Sequence, residues 1–177
     1  SGRVGQQRGD GAGSQSPRPA FAVSPAPITT ACGTMQTRNA FYCSGDQRLY
    51  YATDVQDLVR RNDPQVIDNA FFPDNVMGHE FGHAIQGRIG VWAAYAGFRG
   101  GNPQNEELGL ELSRRVEVQA DCFAGMFLNA VAQASQMTDA ERAGIAEIAH
   151  AIGDDRLSGQ PDVLGDHGLG VNRQAWS

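Results

Sequence analysis

The chain has 177 residues, of which 41% are hydrophobic and 19% charged, a composition typical of a folded globular protein with one core. Its formal net charge of −6 and pI of about 5.1 argue against binding to nucleic acid or to an anionic membrane surface. No apolar run approaches the length of a transmembrane helix, and the opening segment lacks the apolar core of a signal peptide.

Residues 1–24 are rich in Gly, Ser and Pro, which predicts an extended arm, and residues 25–177 are predicted to form one domain. Cys32 and Cys43 flank a polar segment. They form either a small disulfide loop, which would imply an oxidising compartment, or two reduced surface thiols. Cys122 lies in an apolar helical run and is predicted to be a buried free thiol.

The predicted elements begin with a short strand at Arg48–Ala52, where aromatic residues that favour strands follow a turn. Asp74 is predicted to cap a helix that runs to about Gly90, and a short helix or turn covers 91–98. A long helix follows from about Asn105 to Ser135.

A Thr-Asp-Ala-Glu capping box at 138–141 predicts a further helix that ends near Ile152. The remaining residues are rich in Gly and Asp and are predicted to be irregular. The sequence therefore predicts a mainly α (α+β) domain with a small β element.

The segment VMGHEFGHAIQ, residues 76–86, contains an H-E-x-x-H motif. His79 and His83 are four residues apart, so a helix places both imidazoles on one face, where they can bind one zinc ion. Glu80 would flank the ion, in the position of a base that acts on a water. Two histidines at this spacing also occur by chance on ordinary helices, so the motif needs a third ligand elsewhere in the chain.

The segment RRVEVQADCFAG, residues 114–125, offers that ligand. Glu117 and Asp121 share one face of the long helix, and Ala124 on the same face permits close packing against another helix. Glu117 can reach the zinc, and Asp121 can orient a ligand histidine. The alternative for Glu117, a solvated helix acid, is disfavoured by its apolar neighbours.

HEFGHAIQGRIG followed by EVQADCFAG resembles the putative neutral zinc metallopeptidase family, a gluzincin-like group with H-E-x-x-H and E-x-x-A-D motifs. The resemblance extends over roughly residues 30–177. It implies a zincin-like core in which His79, His83 and Glu117 bind one Zn²⁺, Glu80 is the base and Asp121 supports the ligands. Members are usually secreted or membrane-anchored, which implies an extracytoplasmic location, agrees with a Cys32–Cys43 disulfide and allows a membrane tether outside these residues.

The predicted function is a zinc-dependent peptidase that acts on peptides or proteins, with its oligomeric state left open. Two alternatives are a catalytically inactive zinc-binding partner or regulatory module of the same fold, and a zinc hydrolase that acts on a non-protein amide or ester. A structural zinc site favours four protein ligands and has no need of Glu80, so the enzyme is preferred.

A second donor usually stabilises the oxyanion of such a reaction, and His167 and Arg156 are the candidates. Asp162 and Asp166 could orient His167, which is otherwise a surface-loop histidine. Arg156 is predicted to form a structural ion pair instead, with Asp154, Asp155 or another acid. Arg114 is placed to pair with Glu117 or Asp121.

The substrate is predicted to lie extended along the edge of the Arg48–Ala52 strand. Tyr50 or Tyr51 could line the cleft, although the simpler interpretation is that both cover the core. Trp92, Tyr95 and Phe98 recur at helical spacing and are interpreted as core or wall residues.

Overall fold

A computed structural model of the chain describes residues 19–161 and 163–177. It contains the strands β1 (Ala20–Ser24), β2 (Ile28–Thr30), β3 (Gly33–Met35), β4 (Ala40–Cys43) and β5 (Arg48–Ala52). Two 3-10 turns, Val55–Leu58 and Pro64–Asp68, follow the strands. The α-helices of the described residues are α1 (Phe72–Arg88), α2 (Val91–Gly101), α3 (Glu106–Val131), α4 (Asp139–Ala151), α5 (Asp154–Ser158) and α6 (Gly170–Gln174). The predicted mainly α class with a small β element is confirmed.

The main sheet has three strands in the order β1-β5-β4, so β5 is central. β1 runs parallel to β5, with Phe21 opposite Leu49, and β4 runs antiparallel to it, with Tyr42 opposite the same residue. The predicted strand at Arg48–Ala52 is confirmed to the residue. The prediction that a substrate adds to its edge is wrong, because both edges of β5 are already paired. The free edge that faces the helices belongs to β4.

Most of the predicted arm, residues 1–18, lies outside the described residues. Its last residues form β1, so the sheet includes part of the segment predicted as an arm, and the division into arm and domain stays a prediction. None of the described helices is both long and apolar enough to cross a bilayer.

The predicted disulfide is present: Cys32 is bonded to Cys43, with a Cα–Cα distance of 5.6 Å. It joins the β2–β3 hairpin turn to the end of β4, where Cys43 is buried. Cys122 is a free thiol as predicted, but it is half-buried rather than fully buried.

Most helix boundaries agree with local sequence signals. The predicted cap of α1 is wrong: the helix begins at Phe72, where Pro73 suits the first turn, and Asp74 lies inside that turn. The side chain of Asn105 accepts from Leu108 N–H and caps α3. The capping box that starts α4 is formed as predicted.

The C-terminal segment is more ordered than its composition predicts. Residues 154–158 form α5 and residues 170–174 form α6, both in a region predicted to be irregular. Each helix has only five residues, too few to be stable by themselves. Their order depends on tertiary contacts, and in α6 the fully buried Arg173 provides them.

The most extensive contact between helices joins α1 to α3. A Cβ added at Gly78 would lie 3.3 Å from Ala124 Cα, and one added at Gly82 would lie 2.9 Å from Ala120 Cα. The two backbones can approach this closely only because small residues face each other on both helices. The small residue predicted at 124 therefore has the expected role. The hydrophobic core lies on the other side of α1, where Phe72 and Val76 pack with Val59 and Ile148.

We expect Gly82→Ala to lower the free energy of unfolding by about 1–3 kcal/mol, because the added methyl group would overlap the backbone of Ala120. Urea unfolding followed by circular dichroism, in a buffer that contains a chelator, measures this change. Gly97→Ala is the matched control: it lies in α2 with open space around the added Cβ, so the change should be neutral or stabilising by up to about 1 kcal/mol. Equal effects at the two positions would contradict the packing described.

Candidate metal centre

Helices α1 and α3 bring three predicted ligands to one buried point. His79 and His83 project from successive turns of α1, with ring centroids 4.6 Å apart. Glu117 faces them from α3: its Oε2 is 3.2 Å from His79 Nε2, and its Oε1 is 3.4 Å from His83 Nε2. All three side chains are buried. Packing of the two helices therefore assembles the set that the two motifs predicted.

The spacing of these atoms fits zinc. Nitrogen and oxygen ligands that each bind zinc at about 2.0–2.2 Å in a tetrahedron lie about 3.3–3.6 Å from one another, close to the observed separations. Glu117 Oε2 is also buried without a hydrogen-bond partner. A buried carboxylate oxygen in that state is unfavourable unless a cation completes its environment. The residues present therefore fit a metal ion.

Both histidines are oriented by acceptors at Nδ1. His79 Nδ1–H donates to Asp121 Oδ1 at 2.8 Å, the contact predicted for Asp121, and His83 Nδ1–H donates to Gln86 Oε1 at 2.8 Å. Since a carboxylate oxygen and an amide oxygen only accept, Nδ1 carries a proton, and in the neutral imidazole that a metal binds the lone pair is then on Nε2. Each imidazole therefore directs Nε2, the atom that would bind a metal, toward Glu117.

Gln86 also belongs to the site, although its role was not predicted from the sequence. It is fully buried, and its Nε2 donates to Val116 O at 2.7 Å and to Gln119 Oε1 at 3.0 Å. These bonds turn its oxygen toward His83. The available signal was its position three residues after His83 on the same helical face.

Arg173 was also missed, since it lies in a segment predicted to be irregular. Its Nε and Nη2 donate to Asp121 Oδ2 and Oδ1, each at 2.8 Å. Arg114, the predicted partner of Glu117 or Asp121, instead donates to the carbonyl of Gly165 at 3.2 Å. The predicted pairing of Arg114 is wrong because the C-terminal helix brings Arg173 to Asp121 from another direction.

The electrostatics of the site favour a cation. Burial lowers the pKa of His79, but the adjacent carboxylates of Asp121 and Glu117 outweigh it and raise the pKa to about 10. Burial raises the pKa of Glu117, but the two adjacent imidazoles outweigh it and hold the pKa far below its usual range. The carboxylate therefore stays charged, and positive charge on or beside His79 is favoured, as a proton or as a metal ion.

Glu80 lies beside the same point. Ligand-type atoms of His79, Glu80 and His83 all lie within 4.8 Å of one another. Glu80 Oε2 accepts from Tyr42 N–H at 2.8 Å, which ties the carboxylate to strand β4. Burial raises the pKa of Glu80, while the charges of His83 and His79 and the Tyr42 bond lower it. The net pKa is raised, as suits a base that accepts a proton near neutral pH.

His167 is placed at the cleft by the loop before α6. Its side chain is half exposed, with Nδ1 3.3 Å from both Asp154 Oδ1 and Asp166 Oδ1. Asp162, the other acid predicted to orient it, lies outside the described residues. Asp154 also accepts from the backbone N–H groups of His167 and Gly168. The Asp154 carboxylate therefore stabilises the loop that carries His167.

Arg156 does not reach the site. Its guanidinium forms a two-pronged ion pair with Asp63, with Nη2 2.8 Å from Oδ1 and 2.9 Å from Oδ2. The prediction of a structural ion pair is confirmed, and the partner is an acid distant in sequence rather than Asp154 or Asp155. This pair joins α5 to the turn before the second 3-10 segment.

His79, Glu80, His83 and Glu117 line a cavity of about 580 Å³. Strand β4 forms one side of it, and Trp92 and His167 lie on its wall. The remaining wall is largely apolar and is lined by Val55, Leu58, Val59, Phe72, Val76, Ile152 and Leu157.

The other aromatic residues that the sequence suggested for the cleft lie away from this cavity. Tyr50 and Tyr51 are buried, and the hydroxyl of Tyr50 donates to Asp46 at 2.6 Å, so both cover the core as the simpler interpretation held. Tyr95 and Phe98 line a shallow groove between α2 and α3. Of the predicted aromatic set, only Trp92 lies at the cleft.

Comparison with known proteins identifies relatives over most of the chain. A family model described as putative neutral zinc metallopeptidase matches residues 8–177. The chain is 32% identical over 154 residues to the uncharacterized protein YpfJ of Escherichia coli (strain K12), a match that covers 83% of this chain and 52% of that protein.

A second relative is the uncharacterized protein Rv2575 of Mycobacterium tuberculosis (strain H37Rv), 30% identical over 178 residues, with 90% of this chain and 57% of that protein covered. The chain thus spans about half the length of these relatives. No solved structure matches it, so the zincin-like character of the core stays a prediction.

Proposed function

The chain belongs to the putative neutral zinc metallopeptidase family, and we propose that it is a zinc-dependent peptidase. The observation that carries this proposal is the convergence of His79 Nε2, His83 Nε2 and the Glu117 carboxylate, with Glu80 buried beside them. A centre with three protein ligands and an adjacent base is typical of catalytic rather than structural zinc.

His79, His83 and Glu117 would hold one Zn²⁺, and Asp121 and Gln86 would keep the two imidazoles in place. When bound, zinc supplies a Lewis acid and lowers the pKa of a coordinated water. Glu80 accepts the proton of the attacking water and passes it to the leaving amine nitrogen. The Tyr42 N–H keeps the Glu80 carboxylate fixed during both transfers.

Strand β4 is the proposed platform for an extended peptide. Tyr42 N–H points away from β5, toward Glu80, and backbone groups alternate in direction along a strand. The outer edge of β4 therefore presents the N–H and C=O of Ala40 and the C=O of Tyr42. A peptide that pairs with these groups runs past Glu80, and the apolar wall of the cavity suits an apolar side chain next to the cleaved bond.

An oxidising, extracytoplasmic location is proposed together with this activity. The Cys32–Cys43 disulfide supports an oxidising compartment. Secretion, or a membrane tether outside the described residues, is the form we propose. Recovery of the oxidised protein only from the cytoplasm would argue against it.

The main alternative is a zinc-binding partner module that does not cut, and a further one is a hydrolase of a non-protein amide or ester. The buried, hydrogen-bonded Glu80 favours an enzyme, because burial of an acid beside a metal has a cost that a purely structural site need not bear. A cleft bordered by a strand edge favours an extended peptide over a compact amide or ester.

Glu117→Ala should reduce the zinc content of the purified protein from about one ion per chain to a small fraction of that, because two histidines alone bind zinc weakly. Metal analysis after dialysis measures the change. Glu107→Ala, on the exposed first turn of the same helix, is the control and should keep wild-type zinc. Wild-type content in Glu117→Ala would refute the third-ligand assignment.

Glu80→Gln should keep zinc and lose peptide cleavage by at least about 10²-fold, since the amide cannot accept the proton. Initial rates on an unstructured protein such as casein, measured with zinc content on the same sample, test this. A variant that cleaves at the wild-type rate contradicts the role of Glu80. If zinc-loaded wild type cleaves no peptide while it hydrolyses an ester or a cell-wall amide, the third function is favoured.

His167→Gln should lower kcat by about 10²-fold with little change in KM, if the imidazole held by Asp154 stabilises the oxyanion. Glu107→Gln is the control, because Glu107 lies on the exposed first turn of α3 and does not line the cleft. A kcat for His167→Gln equal to that of the control would assign His167 to the structure of its loop alone.

A further inference from the structure

Arg173 is the largest side chain that is fully buried in the described residues, at 2% exposure. It lies on α6, a helix of five residues near the C-terminal end of the described chain. A buried guanidinium is unfavourable unless its charge and its donors are matched. Its partners therefore indicate why the fold keeps a charge there.

Those partners lead directly to the metal centre. Arg173 Nε and Nη2 donate hydrogen bonds to the two carboxylate oxygens of Asp121, each at 2.8 Å. Arg173 Nη1 donates to Ile152 O at 3.2 Å. Asp121 Oδ1 in turn accepts from His79 Nδ1 at 2.8 Å. One carboxylate oxygen thus joins the guanidinium to the imidazole, and the carboxylate cannot turn without breaking a contact with Arg173.

We propose that Arg173 is a positioning residue for the metal centre: it acts through Asp121 to aim His79 Nε2 at the ion. This inference rests on the zinc site of the proposed function. Removal of Arg173 would leave Asp121 buried without its counter-charge and free to rotate. Rotation of the carboxylate weakens the acceptor that holds the His79 ring and its tautomer.

Through Arg173, helix α6 is also linked to metal binding. α6 docks tightly, since a Cβ added at Gly170 would overlap the carbonyl oxygen of His150. Arg173 is 52 residues from Asp121 in sequence. The site is thus complete only when this last helix is docked. Because such coupling is reciprocal, zinc should in turn stabilise α6.

The first test measures zinc affinity by competition with a chromogenic chelator. Arg173→Gln should weaken binding about 10- to 100-fold, and Arg173→Lys should recover part of the loss, since it keeps the charge but not the two-pronged contact. The Co²⁺-loaded variant should show a changed visible absorption spectrum, which a merely looser fold would not predict. Arg156→Gln is the matched control: it breaks a comparable ion pair with Asp63 away from the centre and should bind zinc within about twofold of wild type.

A double-mutant cycle locates the effect. If Arg173 acts through Asp121, the double variant Arg173→Gln/Asp121→Asn should bind zinc no more weakly than Asp121→Asn alone. Additive losses, or wild-type zinc affinity in Arg173→Gln, would overturn the proposal. If the Arg173 variants fail to fold, hydrogen exchange of residues 163–177 in the wild type decides: exchange should slow when zinc is added, and unchanged exchange would overturn the inference.

Cleavage is not a readout in any of these measurements. A wild-type chain that binds zinc and cuts nothing would refute the peptidase proposal and leave the Arg173 inference standing. A wild-type chain that binds no zinc would overturn both.

Discussion

The contact between α1 and α3 is the constraint on which the site depends. Gly78 and Gly82 face Ala124 and Ala120 so closely that a single added methyl group would strike backbone. Metal–ligand bonds tolerate errors of only about 0.2 Å. Helices held further apart by a larger residue would separate the two histidines from Glu117, and the three side chains could no longer meet at one point. Small residues on both helices thus determine the spacing of the ligands.

Around that contact, His79 and His83 are each oriented by a side chain that is itself held by hydrogen bonds. Asp121 holds His79 and is gripped by Arg173, while Gln86 holds His83 and is fixed to the carbonyl of Val116. These bonds join buried side chains, and in a buried environment hydrogen bonds are strong and an unmatched polar group is costly. The centre is therefore preorganised by parts of the chain that contribute no metal ligand.

The sheet forms one side of the cavity and is tied to Glu80 by a hydrogen bond. Tyr42 N–H on β4 donates to the Glu80 carboxylate, so the candidate base is attached directly to the proposed substrate-binding strand. The disulfide at Cys43 anchors the end of the same strand. The distance between a strand-bound peptide and the base would then depend little on loop motion, which is a requirement for catalysis by positioning.

Features that depend on local periodicity and local chemistry could be predicted from the amino-acid sequence without a structure. Residues four apart share a helical face, so His79 with His83 and Glu117 with Asp121 could be paired from spacing alone. The capping box of α4 and strand β5 depend on neighbouring residues and were predicted correctly.

The contacts that close the site required the folded chain. Arg173 meets Asp121 across 52 residues, and Tyr42 meets Glu80 across 38. Because β5 is paired on both sides, the edge strands of this sheet are β1 and β4, and β4 is the one that lines the cavity. These contacts join segments that are far apart in sequence, where the repeat of a helix or a strand gives no information about which residues meet. A buried charge or backbone polar group is unfavourable unless it is paired. Its partner can come from any part of the chain, and only the folded structure shows which part supplies it.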